Sequence, residues 1–156
     1  MSYMGSIQLL PWEIFFASQV GCMRQAENLK NNAKPAHGAH DREYDWQRAC
    51  EGAIGECALA KYLNLYWSGK GRLTDPDVGK MEVRTRPFSH YDLISYDKDL
   101  DDQPVWLLTG LNGKYDIRGW LYGREAKLKE YWSEKYVKGR WGFFVPQNKL
   151  RTTWIR

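Results

Sequence analysis

The sequence predicts an α/β (α+β) fold: a mixed β-sheet flanked by helices, with an N-terminal helical pair. Three observations carry that expectation. Two helical segments come first, and a run of short strands with one late helix follows. Met81 to Arg86 alternates, with Met81, Val83 and Thr85 on one side and Glu82, Arg84 and Arg86 on the other, which is the period of a strand. Val105 to Thr109 (VWLLT) is continuously apolar up to its last residue, as in an interior strand covered on both faces. A chain of 156 residues is long enough to bury a real core, and a single domain over 1–156 is expected. Within it, 1–40 forms an N-terminal helix and loop, and 41–156 forms the core.

Each element has its own signal. Pro11-Trp12-Glu13 opens a helix from about Trp12 to Asn31, because proline and an acid suit a first turn. Asn31 to His40 holds Pro35 and Gly38 and reads as a loop. Asp41 can cap a second helix from about Arg42 to Leu63. Ser68-Gly69-Lys70-Gly71 is a loop, and Val78-Gly79-Lys80 a tight bend into the Met81–Arg86 strand. Leu93 to Tyr96 is a further strand candidate, and Asp97 to Gln103 an acidic turn. Tyr115 to Tyr122 reads as a strand, Gly123 to Ser133 as a short helix, and Trp141 to Val145 as a last strand stopped by Pro146.

Composition narrows the class of function. A hydrophobic fraction of 43% with 27% charged residues describes an ordinary globular chain. The net charge of +4 is compatible with a polyanionic partner. Eight Trp and ten Tyr are many for this length, and serve either a ring-rich core or stacking on bases. Cys22, Cys50 and Cys57 are scattered and odd in number, which suggests reduced thiols in a cytoplasmic protein rather than a disulfide framework or zinc ribbon. Neither a signal peptide nor a membrane span is expected. No P-loop, GxGxxG or GxSxG occurs. His37, His40 and His90 lack the spacing of a zinc hydrolase or deaminase.

The stretch TDPDVGKMEVRTR, Thr74 to Arg86, carries the chemistry. A bend after Asp77 would set its carboxylate beside Glu82, and Arg84 shares a strand face with Glu82. Two carboxylates, a backbone carbonyl and water make an oxygen-rich shell suited to Mg²⁺ or Mn²⁺ rather than zinc. Arg84 would then hold a phosphate oxygen. The plainer alternative is a polar turn entering an edge strand with a surface Glu-Arg pair. On the second helix, Glu56 is surrounded at helical spacing by Ala49, Gly52, Ala53, Leu59, Ala60 and Leu63, so it lies within the core-facing stripe. A buried carboxylate needs a cation, a proton or a metal-bound water. A salt bridge to a core arginine such as Arg84 or Arg118 would serve equally. Gly52 and Gly55 are expected to let this helix approach the sheet closely.

A Gly-x-x-Gly-Glu helix, then Pro-Asp, then Glu-x-basic on a strand resembles the PD-(D/E)XK nuclease superfamily. GAIGECALAKYLNL followed by DVGKMEVRTR, and downstream RGWLYGREAK and FFVPQNKLR, are similar to small phage and prophage proteins of that superfamily. The motifs proper cover about Gly52 to Arg86, the looser likeness reaches Arg151, and the N-terminal helix is not accounted for. The resemblance implies a restriction-endonuclease-like fold and Mg²⁺-dependent cleavage of DNA, with RNA as the other polymer open to the same chemistry. It matches Asp77 and Glu82 to the metal-binding acids, Glu56 to the helical acid, and Arg84 to the position usually held by lysine. Arginine stays protonated, so Arg84 cannot act as a base. The interval between Asp77 and Glu82 is also shorter than in many relatives. Cutting both strands of a duplex or a junction would favour a homodimer.

Beyond that core, Arg86, Arg118, Lys127 and Trp132 are candidates for contact with nucleic acid. Arg118 shares a predicted strand face with Asp116 and Trp120, so an internal ion pair is its other reading. Lys127, Lys129, Lys135, Lys138 and Arg140, with Trp132 and Trp141 interleaved, form either a solvated helix and loop or a track for a phosphate backbone. Two rivals to a nuclease remain open: a module of the same fold that grips DNA or a protein without turnover, and a viral structural or assembly protein whose acids are only core ion pairs.

Overall fold

The computed structural model describes residues 3–32, 42–71 and 75–155. The expected Asp41 cap, most of the 31–40 loop, and His37 and His40 lie outside them. The chain is mixed α and β. A short strand β1 (Gly5–Gln8), absent from the expectation, precedes helix α1 (Pro11–Lys30). A 3-10 turn (Arg42–Tyr44) leads into α2 (Asp45–Leu63). Strands β2 (Glu82–Arg86), β3 (Leu93–Ser95), β4 (Pro104–Leu111) and β5 (Lys114–Tyr122) follow, then helix α3 (Gly123–Ala126), β6 (Trp132–Ser133) and β7 (Gly142–Val145).

Among the described residues the strands form two sheets where one was expected. The larger has the order β1-β5-β4-β2, and the smaller β3-β7-β6. The larger sheet is mixed, because β2 runs parallel to β4 while β5 runs antiparallel to both β4 and β1. β4 and β5 join through Asn112-Gly113, both at positive φ (56° and 87°), which is the geometry of a two-residue hairpin turn. β4 separates two cores. Trp106 and Leu108 face the core shared with α2, whereas Val105 and Leu107 face Leu93, Leu121 and Val145 beneath the smaller sheet. That double burial accounts for the unbroken apolar run.

The helices are placed by small residues. Gly21 of α1 lies so close to α2 that a Cβ there would stand 2.5 Å from the Cys50 Cα. The Cys22 and Cys50 sulfurs sit 3.6 Å apart at the same crossing, as free thiols. Gly55 meets β2, where a Cβ would fall 1.9 Å from the Thr85 hydroxyl. Gly52 behaves differently from the expectation. Nothing lies within 4 Å of the position its Cβ would take, so it opens space instead of closing a contact. α2 ends at Asn64 in the left-handed conformation (φ 55°, ψ 48°).

The expected Gly123–Ser133 helix stops after one turn. Gly123 is wedged against the Leu100 carbonyl, and Lys127 turns back to donate to the Asp99 carbonyl (2.6 Å) and to pair with Asp101 (2.8 Å). The chain then passes through a 3-10 turn (Lys129–Tyr131) and pairs with β7 as β6. Tertiary contacts outweigh the local helical preference here. No helix among the described residues is long and apolar enough to cross a membrane.

Candidate active site

The bend after Pro76 forms as its sequence suggests. Gly79 takes φ +57°, Met81 donates to the Val78 carbonyl (2.8 Å), and the Asp77 N–H donates to the Met81 carbonyl (3.0 Å). The Asp77 carboxylate then accepts the Val83 N–H at 2.8 Å, which fixes it at the entry to β2. Gly71 abuts the Asp77 backbone, so the 68–71 loop closes one side of the site.

Glu56 is 5% exposed, as its place on the helical stripe requires. Its partner is neither Arg84 nor Arg118 but Arg24 of α1, which donates both terminal nitrogens to the two carboxylate oxygens at 2.8 and 2.9 Å. The Trp67 indole N–H adds a third hydrogen bond at 3.2 Å, and Arg24 also donates to the Gly69 carbonyl at 2.9 Å. Glu56 is therefore anchored by α1, an element outside the motif region. Burial pushes its pKa up, against the lowering pull of Arg24, Trp67 and Asp77.

On the face of β2 turned toward the smaller sheet, Glu82 accepts from Arg84 (3.1 Å) and from the Gln103 amide (3.3 Å). Arg84 also donates to Asp99 at 2.6 Å and lies 5.3 Å from the Tyr96 ring centre. Asp99 is itself held by the Ser95 hydroxyl and the Tyr96 N–H. Burial disfavours the Arg84 cation, but the carboxylates of Asp99, Glu82 and Asp77 more than offset it, so its pKa is raised and its charge is fixed.

Asp77 lies between the two glutamates. Burial, and then the Glu56 charge, push its pKa from 3.8 up to about 6. Glu82 is raised by burial and then by Asp77. Each glutamate thus feels Asp77 most strongly among the acids, and the three carboxyls form a chain from α2 through the bend to β2. Among the described residues no group of three His, Cys, Asp or Glu side chains is set to hold a metal ion. Asp77 and Glu82 still fit a hard divalent cation chemically: both are carboxylates, each raises or is raised by a neighbouring acid despite Arg84, and Mg²⁺ commonly takes only one or two protein carboxylates with water and substrate phosphate completing its shell. Glu56, with both oxygens on Arg24, fits a supporting position.

The weaker candidates separate. Arg118 is 7% exposed and spends its donors on Thr109 (2.7 Å) and Asp116 (2.9 Å), the internal pair its strand position allowed. Lys127 reaches the site indirectly, through the Asp99 backbone. Lys135 is tied to Asp92. Arg86 packs against the edge-to-face pair of Tyr91 (4.1 Å) and Tyr136 (4.7 Å) and, with Arg84, lines a cleft of about 470 Å³. Trp132 stacks on Trp141 at 5.8 Å near the rim. Sequence reasoning missed Arg24, Trp67, Asp99 and Gln103. Of these, Arg24 left a trace: it lies one helical turn after Gly21, the residue that lets α1 touch α2. The chain matches no family model, no curated protein and no solved structure.

Proposed function

We propose that the chain is a Mg²⁺-dependent nuclease that hydrolyses DNA phosphodiester bonds. The observation that carries this reading is the file of carboxyls Glu56, Asp77 and Glu82, with the Asp77 pKa raised between two glutamates and Arg84 fixed beside Asp77 and Glu82. Such an arrangement costs stability unless a cation or a reaction uses it. Asp77 and Glu82 would hold Mg²⁺ or Mn²⁺, which when bound supplies an activated water and a polarised phosphoryl oxygen. Arg84 remains charged and is aimed by Glu82 and Asp99, so its part is to neutralise developing charge on the phosphoryl group. Glu56, locked by Arg24, orients water through the neighbouring Asp77 carboxyl. Arg86 lies within reach of the backbone on the cleft side.

The test is incubation of the purified chain with linear, circular and single-stranded DNA in Mn²⁺. Cleavage is expected, together with metal-induced stabilisation that Asp77→Ala removes. Glu82→Ala should lower the rate by at least about a hundredfold, given the weight of such electrostatic contributions. Undiminished cleavage by that variant would sink the assignment. Two observations favour a second reading, a module of the same fold that binds without turnover: both Glu56 oxygens are already satisfied, and no three-ligand group exists among the described residues. Metal-independent retardation of DNA in a gel, with no cleavage, would select that reading.

A further inference from the structure

The cleft lined by Arg84 and Arg86 has a composition that the proposed chemistry does not require. Its wall on one side is β2 from Val83 onward with Pro87 just beyond the strand, and on the other the smaller sheet with Tyr136, Arg140 and Trp141. Four arginines line it, Arg48, Arg84, Arg86 and Arg140; the carboxylates paired with Arg84 (Glu82, Asp99) and Arg48 (Asp45) lie outside the lining. A second hollow of about 420 Å³ continues it, sharing Arg48, Gly52, Thr85, Arg86 and Pro87. The one acid there, Glu51, has both oxygens engaged by the Tyr115 hydroxyl and the Asn112 N–H. At the other end Trp141 stacks on Trp132, and Trp132 opens onto a third hollow with Asp97, Lys127 and Lys129. Arginines and exposed rings thus follow one another along a track from the second hollow through the first to the tryptophan pair.

Arg86 sits at its centre. One of its nitrogens donates to the Asp92 carbonyl at 2.9 Å, and among the described residues no carboxylate pairs with it. Burial lowers its pKa, as expected for a cation removed from water without a counter-charge; the nearby tyrosines oppose this only in part. A guanidinium packed against two tyrosine rings is held in place, and an oxyanion is the ligand that completes its remaining N–H groups. Trp141, 50% exposed, and Trp132, 42% exposed, stack on each other, and the ring surface they leave open is of the kind an unstacked base covers. In a duplex the base faces are already stacked on one another, and only the edges show in the grooves.

We infer that this track binds a single unpaired nucleic-acid strand, with its phosphates on the arginines around Arg86 and its bases on Trp141 and Trp132. What then happens to the strand rests on the nuclease reading; the binding does not. Gly52 provides the sharpest test, because the space its missing side chain leaves is the bend between the two hollows. A Cβ there meets nothing within 4 Å, and a leucine extends from it into the cleft rather than into packed core while improving helix propensity, so the variant should fold while filling the cleft.

The experiment is fluorescence anisotropy of a labelled oligo-thymidylate and of a hairpin duplex, with the full chain in EDTA so that nothing is cut. The single strand should bind at least about tenfold tighter than the duplex. Gly52→Leu and Trp141→Ala should each weaken strand binding by about tenfold, while Gly52→Ala should change it less than about twofold. Equal affinity for the duplex, or undiminished binding by Gly52→Leu, would overturn the inference. If that variant does not fold, Trp141→Ala decides by the same threshold. Strand binding without hydrolysis in Mn²⁺ would remove the nuclease reading alone, and duplex cleavage without strand preference would remove this inference alone.

Discussion

Asp77 shows what a single side chain can reveal about a site. Its carboxyl titrates near 6 in the folded chain, against 3.8 for an ordinary aspartate, so between those values the native state holds a proton that the unfolded state has released. The stability linked to that proton is fully present below about pH 4 and is lost as pH rises through 6. At 1.36 kcal/mol per pH unit the loss reaches about 3 kcal/mol at neutral pH. Asparagine keeps an oxygen for the Val83 N–H but carries no charge. Asp77→Asn is therefore expected to exceed the natural chain by about 1–3 kcal/mol at pH 8 and to match it near pH 4, as read from urea midpoints at the two pH values. A variant weaker at pH 8 would mean that a partner other than Arg84 and Arg24 stabilises the carboxylate. The same substitution should remove metal-induced stabilisation, which would separate function from stability at one atom.

At the scale of elements, two glycines on facing helices do opposite things. Gly21 permits the α1–α2 crossing, and through it the reach of Arg24 to Glu56. Gly52 keeps α2 clear of the cleft. Alanine at position 21 would gain ~1 kcal/mol of helix propensity. It would also push a methyl group into the backbone of Ala49 and Cys50. Overpacking against backbone costs about 1–3 kcal/mol, and the helix carrying Arg24 must shift. Gly21→Ala is thus expected to lower stability in urea denaturation, whereas Gly52→Ala should raise it by up to ~1 kcal/mol, because it meets open space. Stabilisation by both substitutions would contradict the helix crossing described above.

The whole molecule is held together by β4, whose two faces belong to different cores. Disturbance of one core therefore passes to the other through a shared strand. Trp154 closes the α2-side core from the C-terminal segment, edge-on to Trp106 (5.2 Å) and Trp120 (4.9 Å), while the Trp120 indole donates to the Thr153 carbonyl at 2.8 Å. Trp154→Ala is expected to cost about 2–4 kcal/mol, less than a fully buried tryptophan because its outer side is solvated. Unfolding followed by near-ultraviolet and far-ultraviolet circular dichroism should coincide in the variant as in the natural chain. Separated transitions would show that the two cores melt independently.

What the sequence determined by itself follows from local periodicity and local geometry. The two long helices, the alternating β2, the doubly buried β4 and the bend after Pro76 each announce themselves within a few residues, because side-chain period and turn conformation are short-range properties. The Asn112-Gly113 hairpin signal was equally legible and went unread. The burial of Glu56 was readable from its neighbours at helical spacing, but the identity of its partner was not. Arg24 lies 32 residues away along the chain and meets Glu56 only because Gly21 lets two helices touch. The division into two sheets, the early stop of α3 and the row of arginines along the cleft were likewise settled only in three dimensions. Each depends on which surfaces bury each other, and local sequence cannot encode a contact whose other half is supplied by a distant segment.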